Sequence, residues 1–199
     1  MTMRALVLAA PRRPLELREV PSPEPAPGQA LVEVIACAIC RTDLHVLDGE
    51  LDRPTLPLIP GHQVVGTIGA VGDRVTDRRV GDLVGVPWLG WADGTCGYCT
   101  SGRENLCPDA RFTGYDLDGG YAERLVVDAR YCLPVPRGFE PVAAAPLLGA
   151  GAIGYRALRL AGDGGLIGLY GFGNAARLVT QIALHEGRRV FAFTRPGDT

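Results

Sequence analysis

The densest set of coordinating side chains in this sequence lies between positions 93 and 107, in the stretch DGTCGYCTSGRENLC. Asp93, Cys96 and Cys99 are spaced three apart, and Cys107 follows eight later. A two-residue gap turns the backbone back on itself and points both flanking side chains inward, so one loop can wrap a tetrahedral ion. Thiolates are soft enough to hold zinc and a carboxylate oxygen can complete the tetrahedron, which makes zinc the expected occupant. The competing readings are three unconnected core cysteines on a loop and, less readily, a disulfide.

A second group of reactive side chains is divided between two short stretches. In Cys40–Asp48, CRTDLHVLD, the apolar spacing becomes helical, with Thr42 or Asp43 as cap, Cys40 at the entrance and His45 one turn along. Downstream, Pro60-Gly61-His62-Gln63 runs into the apolar, Gly-rich VVGTIGAVG, which reads as a strand between turns. A third stretch carries the signature of phosphate binding. The buried strand Leu166–Tyr170 leads into Gly171-Phe172-Gly173-Asn174-Ala175-Ala176, then an amphipathic helix to Glu186 and a second strand, Arg189–Thr194. Gly171 permits the tight turn, Gly173 lets backbone approach a pyrophosphate, and Ala176 stands where a third glycine often sits. No acid follows the second strand to bind a ribose hydroxyl; Thr194-Arg195 stands there instead, which favours the 2′-phosphate of NADP(H).

The elements that must position these groups fall into two parts. Up to Pro136 the pattern is of short strands, RALVLA, LELREV and ALVEVIAC, separated by Pro-rich turns, as in a barrel-like β domain. Trp88 and Trp91 read as packing residues near a cleft mouth, and Cys37 and Cys132 as buried thiols in the core. From Glu140 onward the period is helical, with helices over 142–147 and 150–160. The chain has 199 residues, 47% of them hydrophobic, and a formal net charge of -2, so it buries a real core. Without a run of like charge, neither nucleic acid nor an acidic membrane surface is an expected partner. All basic residues are arginine, which reads as coding bias. No apolar run reaches membrane-spanning length and the N-terminus lacks a signal-peptide pattern, so a cytoplasmic location is expected, with the cysteines as thiols and ligands.

The cysteine loop, followed by Thr113–Glu123, TGYDLDGGYAE, resembles the structural-zinc lobe of the zinc-dependent alcohol dehydrogenases of the medium-chain dehydrogenase/reductase superfamily. The resemblance extends over essentially the whole chain. It implies an α+β chain with a GroES-like β-barrel domain over 1–136, carrying a zinc lobe at 91–108. A helical connection and the first β-α-β of a Rossmann fold would occupy 137–199. It implies Cys40 and His62 as two ligands of a catalytic zinc, Asp43 as the carboxylate that orients His62, and Thr42 with His45 as a proton relay.

Three departures accompany the likeness. Asp93 stands where the family has cysteine, Gln63 where it has glutamate, and Gly149, within Ala145–Tyr155, where it has the third catalytic-zinc ligand. Two ligands fall short of the three that a catalytic zinc takes, so no zinc is expected at that centre, whereas a structural zinc is. Only two strands of the dinucleotide fold are present, so an incomplete NADP(H) crevice and a homodimer covering its open faces are expected. The expected function is therefore acid–base chemistry without hydride transfer, of cyclase, lyase or isomerase type. Cys40, Thr42, Asp43, His45, His62 and Gln63 would act on a small apolar substrate such as a secondary metabolite. The alternatives are an NADP(H)- and zinc-dependent alcohol dehydrogenase and a non-catalytic partner protein.

Overall fold

Alternating apolar residues and β-branched side chains make strands of most of the first 136 residues. The computed structural model describes residues 1–52, 54–195 and 197. Strands β1 (Thr2–Val7) and β2 (Glu16–Pro21) form an antiparallel hairpin. Next come β3 (Gln29–Cys37), helix α1 (Arg41–Leu47), β4 (Val64–Val71), β5 (Leu83–Val86) and β6 (Leu89–Trp91). The pair β6 and β7 (Arg111–Phe112) closes the base of the cysteine loop, and β8 (Arg124–Asp128) and β9 (Leu133–Pro134) follow. Five of these make one antiparallel sheet in the order β8-β3-β4-β5-β9. Its core holds Val32, Val64, Ile68, Val84, Val86, Leu125 and Val127, all nearly sealed from water. Each such side chain contributes about 1.5–3 kcal/mol on burial.

The chain divides into two compact units, Met1–Leu148 and Gly149–Thr199. Residues 137–148, read from the sequence as the helical connection, lie within the first of these units. Helix α2 (Pro141–Ala144) and the 3-10 turn Ala145–Leu148 bury Ala144 and Ala145 against Val65, with Ala36, Leu83 and Val135 around them. The connection therefore packs on the barrel unit through an apolar cluster of its own around Val65, a packing partner that its helical period cannot reveal.

In the second unit, α3 (Ala150–Leu160), β10 (Leu166–Tyr170), α4 (Asn174–His185) and β11 (Arg189–Phe193) form a β-α-β with parallel strands in register from Leu166↔Arg189 to Tyr170↔Phe193. Val179 and Ala183, one turn apart on α4, pack with Leu158 and Ile167. No described helix is long and apolar enough to cross a membrane.

Candidate functional site

Asp43 is the hub of the barrel-unit site. Cys40, in extended conformation, precedes α1, and its N–H donates to Asp43 Oδ2 at 2.7 Å. Asp43 thus sits at the third helical position and reaches back to the N-cap backbone, rather than capping the helix itself as the sequence suggests. Its other oxygen, Oδ1, lies 3.0 Å from His62 Nδ1. Both side chains are 4% exposed. A buried imidazole tied through Nδ1 leaves Nε2 as the nitrogen that can meet a metal or a substrate.

A third group reaches Asp43 that sequence reasoning missed. The Tyr121 hydroxyl donates to Asp43 Oδ2 at 2.9 Å. Burial, and then the negative charge of Asp43, push the Tyr121 phenol well above its ordinary range, so it stays a donor. Gly119 and Gly120 bring it there. Gly119 N–H donates to Ile59 O, Gly120 N–H to Gly61 O and Tyr121 N–H to Pro60 O, while Tyr121 O accepts from Leu6 N–H of β1. A Cβ at 119 would lie 2.1 Å from Gly61 O, and one at 120 would lie 2.2 Å from Val64 Cγ2. Close approach of two backbones is what the Gly-Gly pair supplies; that pair before an aromatic was the available signal.

The other expected site residues are less tightly joined. Cys40 Sγ and Thr42 Oγ1 are 3.7 Å apart. His45 pairs through Nδ1 with Glu50, a residue not singled out in the sequence, and is partly exposed. Among the described residues no hydrogen bond links Thr42 to His45. Gln63 is buried, with its amide nitrogen 3.4 Å from Ala38 O. Trp88 lies edge-on to the His62 ring at 4.8 Å and stacks on Phe112 at 5.1 Å, so it packs against the site, while Trp91 lies under Arg111. Cys40 and His62 supply two metal donors. Gly149, the position at which the resemblance would put a third donor, has no side-chain atom to offer one.

The loop site is complete. Ligand atoms of Asp93, Cys96, Cys99 and Cys107 all lie within 4.8 Å of one another. Thr95 N–H and Cys96 N–H donate to Asp93 Oδ1 at 2.6 and 2.8 Å, and Oδ2 faces Cys107 Sγ at 3.3 Å. The Cys96 and Thr95 amides hold the Asp93 carboxyl well below the usual carboxylate range, so it is ionised and ready to bind a cation. Cys99 N–H points at Cys96 Sγ, which orients that sulfur. Arg130, paired with Asp128, donates to Ala92 O and fixes the start of the loop. Three soft sulfurs and one oxygen fit zinc, which Asp93 Oδ2 and the three thiolates would hold.

In the second unit the Gly-rich turn fits a dinucleotide phosphate. Gly171 has φ 88°, and its N–H donates to Phe193 O. Gly173 precedes α4, whose first amides lack helical partners. A Cβ at Gly173 would meet nothing within 4 Å, so packing does not exclude a larger residue there. Open space before a helix N-terminus leaves room for a phosphate. Ala176 lies in the first turn of α4, and Arg195 follows β11.

Comparison with known proteins agrees with this geometry. Residues 26–137 match the alcohol dehydrogenase GroES-like domain. The probable alcohol dehydrogenase AdhA of Mycobacterium tuberculosis is 47% identical over 191 residues, 92% of this chain and 55% of that protein. Among solved structures, CAD from Helicobacter pylori complexed with NADP(H) superposes with a TM-score of 0.90 at 27% identity, over 98% of this chain and 59% of that one. The cobalt- and zinc-bound thermostable alcohol dehydrogenase of Pyrobaculum aerophilum gives 0.90 at 28% identity, over 98% and 60%. A GroES-like unit with a metal-type cysteine lobe, followed by the start of a Rossmann fold, defines the class: the chain belongs to the zinc-type alcohol dehydrogenases of the medium-chain dehydrogenase/reductase superfamily. It spans a little more than half the length of the curated relatives it matches.

Proposed function

We propose that the protein is an NADP(H)-linked oxidoreductase interconverting a small apolar alcohol and its carbonyl, with a structural zinc in the 93–107 loop. The observation that carries this reading is the cradle at Gly173, open before α4 and free of any packing reason to be glycine. NADP(H), when bound, exchanges the hydride with the substrate carbon. The chain's own residues handle the oxygen and its proton. Asp43 holds the His62 imidazole with Nε2 available to the substrate oxygen. The Thr42 hydroxyl lies beside Cys40 and His45 pairs with Glu50, and since no described hydrogen bond joins Thr42 to His45, a proton relay through both would run by way of a bridging hydroxyl of the substrate or cofactor. Trp88, against His62, gives an apolar substrate a flat surface. No step is assigned to a metal at Cys40 and His62.

The test is oxidation of NADPH by straight-chain and benzylic aldehydes, with nucleotide binding followed by fluorescence. His62→Ala and Thr42→Ala are expected to lower kcat/KM by about 100-fold or more. Neither nucleotide binding nor turnover in the unaltered protein would sink the reading.

Glycine at 149 favours a second reading, the cyclase, lyase or isomerase chemistry in which the same side chains move protons without hydride transfer. It predicts His62-dependent exchange of substrate hydrogen with deuterated water in the absence of nucleotide. Exposed Leu166, Tyr170, Phe191 and Phe193 on β10 and β11 support a homodimer as the assembly, which light scattering at micromolar concentration tests.

A further inference from the structure

We propose that the 93–107 loop and the apolar wall beside His62 work as one unit: occupancy of the four-ligand site sets where Trp88 stands against the imidazole, and Phe112 is the positioning residue that passes the change on. The loop hangs from a single ribbon. Strand β6 leads into it and β7 leads out, paired at Leu89↔Phe112 and Trp91↔Arg111 with an irregularity between. Trp88 immediately precedes β6 and Phe112 ends β7, so Asp93 lies five residues after the one and Cys107 five residues before the other. At that end of the ribbon the two rings stack, with 5.1 Å between centroids and 18° between planes, and Trp88 meets the His62 ring edge-on at 4.8 Å.

A ribbon this short is weak by itself. Two-stranded pairs are marginal in water, and this one must also close a loop whose regular pieces are the 3-10 turns Cys99–Ser101 and Glu104–Leu106. Four ligand atoms within 4.8 Å of one another clip the loop shut when an ion joins them, so the binding energy of the ion becomes closure energy for the ribbon. The two limbs do not depend on that clip equally. Arg130 donates to Ala92 O and holds the entrance limb with or without an ion. The exit limb is tied by local hydrogen bonds, Ala110 N–H to Cys107 O and Phe112 N–H to Asp116 Oδ2, so displacement falls on the limb that carries Phe112. Beyond β7, Thr113 N–H donates to Trp88 O at 2.8 Å, and a Cβ at Gly90 would lie 2.7 Å from Thr113 Oγ1. The strands touch there, and what moves Phe112 moves Trp88.

The chain has two tryptophans, and Trp91→Phe leaves the half-buried Trp88 as the reporter. Zinc titrated into the chelator-stripped variant is expected to cut acrylamide quenching of Trp88 by about twofold, with circular dichroism unchanged. Cys96→Ser is expected to abolish the response and Cys40→Ala to preserve it, since an ion beside His62 would act on Trp88 directly. Phe112→Leu is expected to take up the same zinc and to lose the response. The inference rests on the reading that the loop takes zinc, yet the two fail differently. No zinc uptake removes both, whereas uptake with unchanged quenching, a response that needs Cys40, or a response kept in Phe112→Leu overturns the inference alone. Should the stripped protein unfold, zinc- and cadmium-loaded forms are compared instead, the larger and also sulfur-seeking ion widening the clip. The Trp88 indole N–H resonance is then expected to differ between the two forms and to coincide in Phe112→Leu; coincidence with Phe112 in place overturns the proposal.

Discussion

A carboxylate among three thiolates changes what the 93–107 loop can hold. Asp93 is kept ionised by the Cys96 and Thr95 amides, so it binds without first losing a proton, yet its oxygen is a harder donor than the sulfur found there in the family. Asp93→Cys is therefore expected to tighten zinc binding by about tenfold or more, roughly 1.4 kcal/mol, in competition with a chromophoric chelator. Equal affinities would show that Oδ2 does not ligate. The buried thiol of Cys37 sets a different expectation. Burial pushes it up to about 12 from 9.0, with the Gln63 backbone contact opposing and Asp43 adding to the rise. The folded state keeps the proton that the unfolded chain releases near the ordinary thiol value. The contribution is fully present below about pH 8.5 and is lost as pH rises toward 12. Urea midpoints should fall over that alkaline window, and Cys37→Ala should flatten part of the fall; Cys132, also pushed up to about 12 by burial, supplies the same slope.

At the scale of elements, the segment 119–121 is stitched between β1 and residues 59–61, and the two glycines there are not equivalent. A methyl at 119 meets the Gly61 carbonyl, which is backbone and cannot yield, whereas one at 120 meets a Val64 methyl that can turn aside. Gly119→Ala is expected to cost more than about 3 kcal/mol and Gly120→Ala about 1–3 kcal/mol, by thermal or urea unfolding. The reverse order would mean that Val64 is the more rigid neighbour. The turn before α4 behaves differently. Gly173→Ala adds a Cβ that meets no atom within 4 Å, and the φ of -84° suits any residue. Stability should stay within about 0.5 kcal/mol while NADPH affinity falls tenfold or more; unchanged affinity would remove the phosphate from that cradle. The strand, turn and helix around Gly171–Ala176 were legible in the sequence because strand, turn and helix signals are all local. The extension of the barrel unit to Leu148 was not, since Ala144 and Ala145 are buried only by Val65 and its neighbours from elsewhere in the chain.

At the scale of the molecule, the barrel unit contains both the loop site and the Asp43–His62–Tyr121 network, together with its own core. Residues 1–148 are accordingly expected to fold alone and to bind one zinc per chain, as measured by circular dichroism and metal analysis. A fragment that is unfolded, or that holds no metal when folded, would show that the second unit is needed. The sequence by itself brought out the Asp93–Cys107 cluster, the Gly-rich turn before a helix and the family, because each is written in short spacings that the backbone must honour locally. It also carried the deficit at 149, a matter of residue type alone. Only the tertiary structure decided what stands behind His62. Asp43 is 19 residues from it and Tyr121 lies 78 residues beyond Asp43, and hydrogen bonds across such separations follow from how strands pair, not from the period of any one of them.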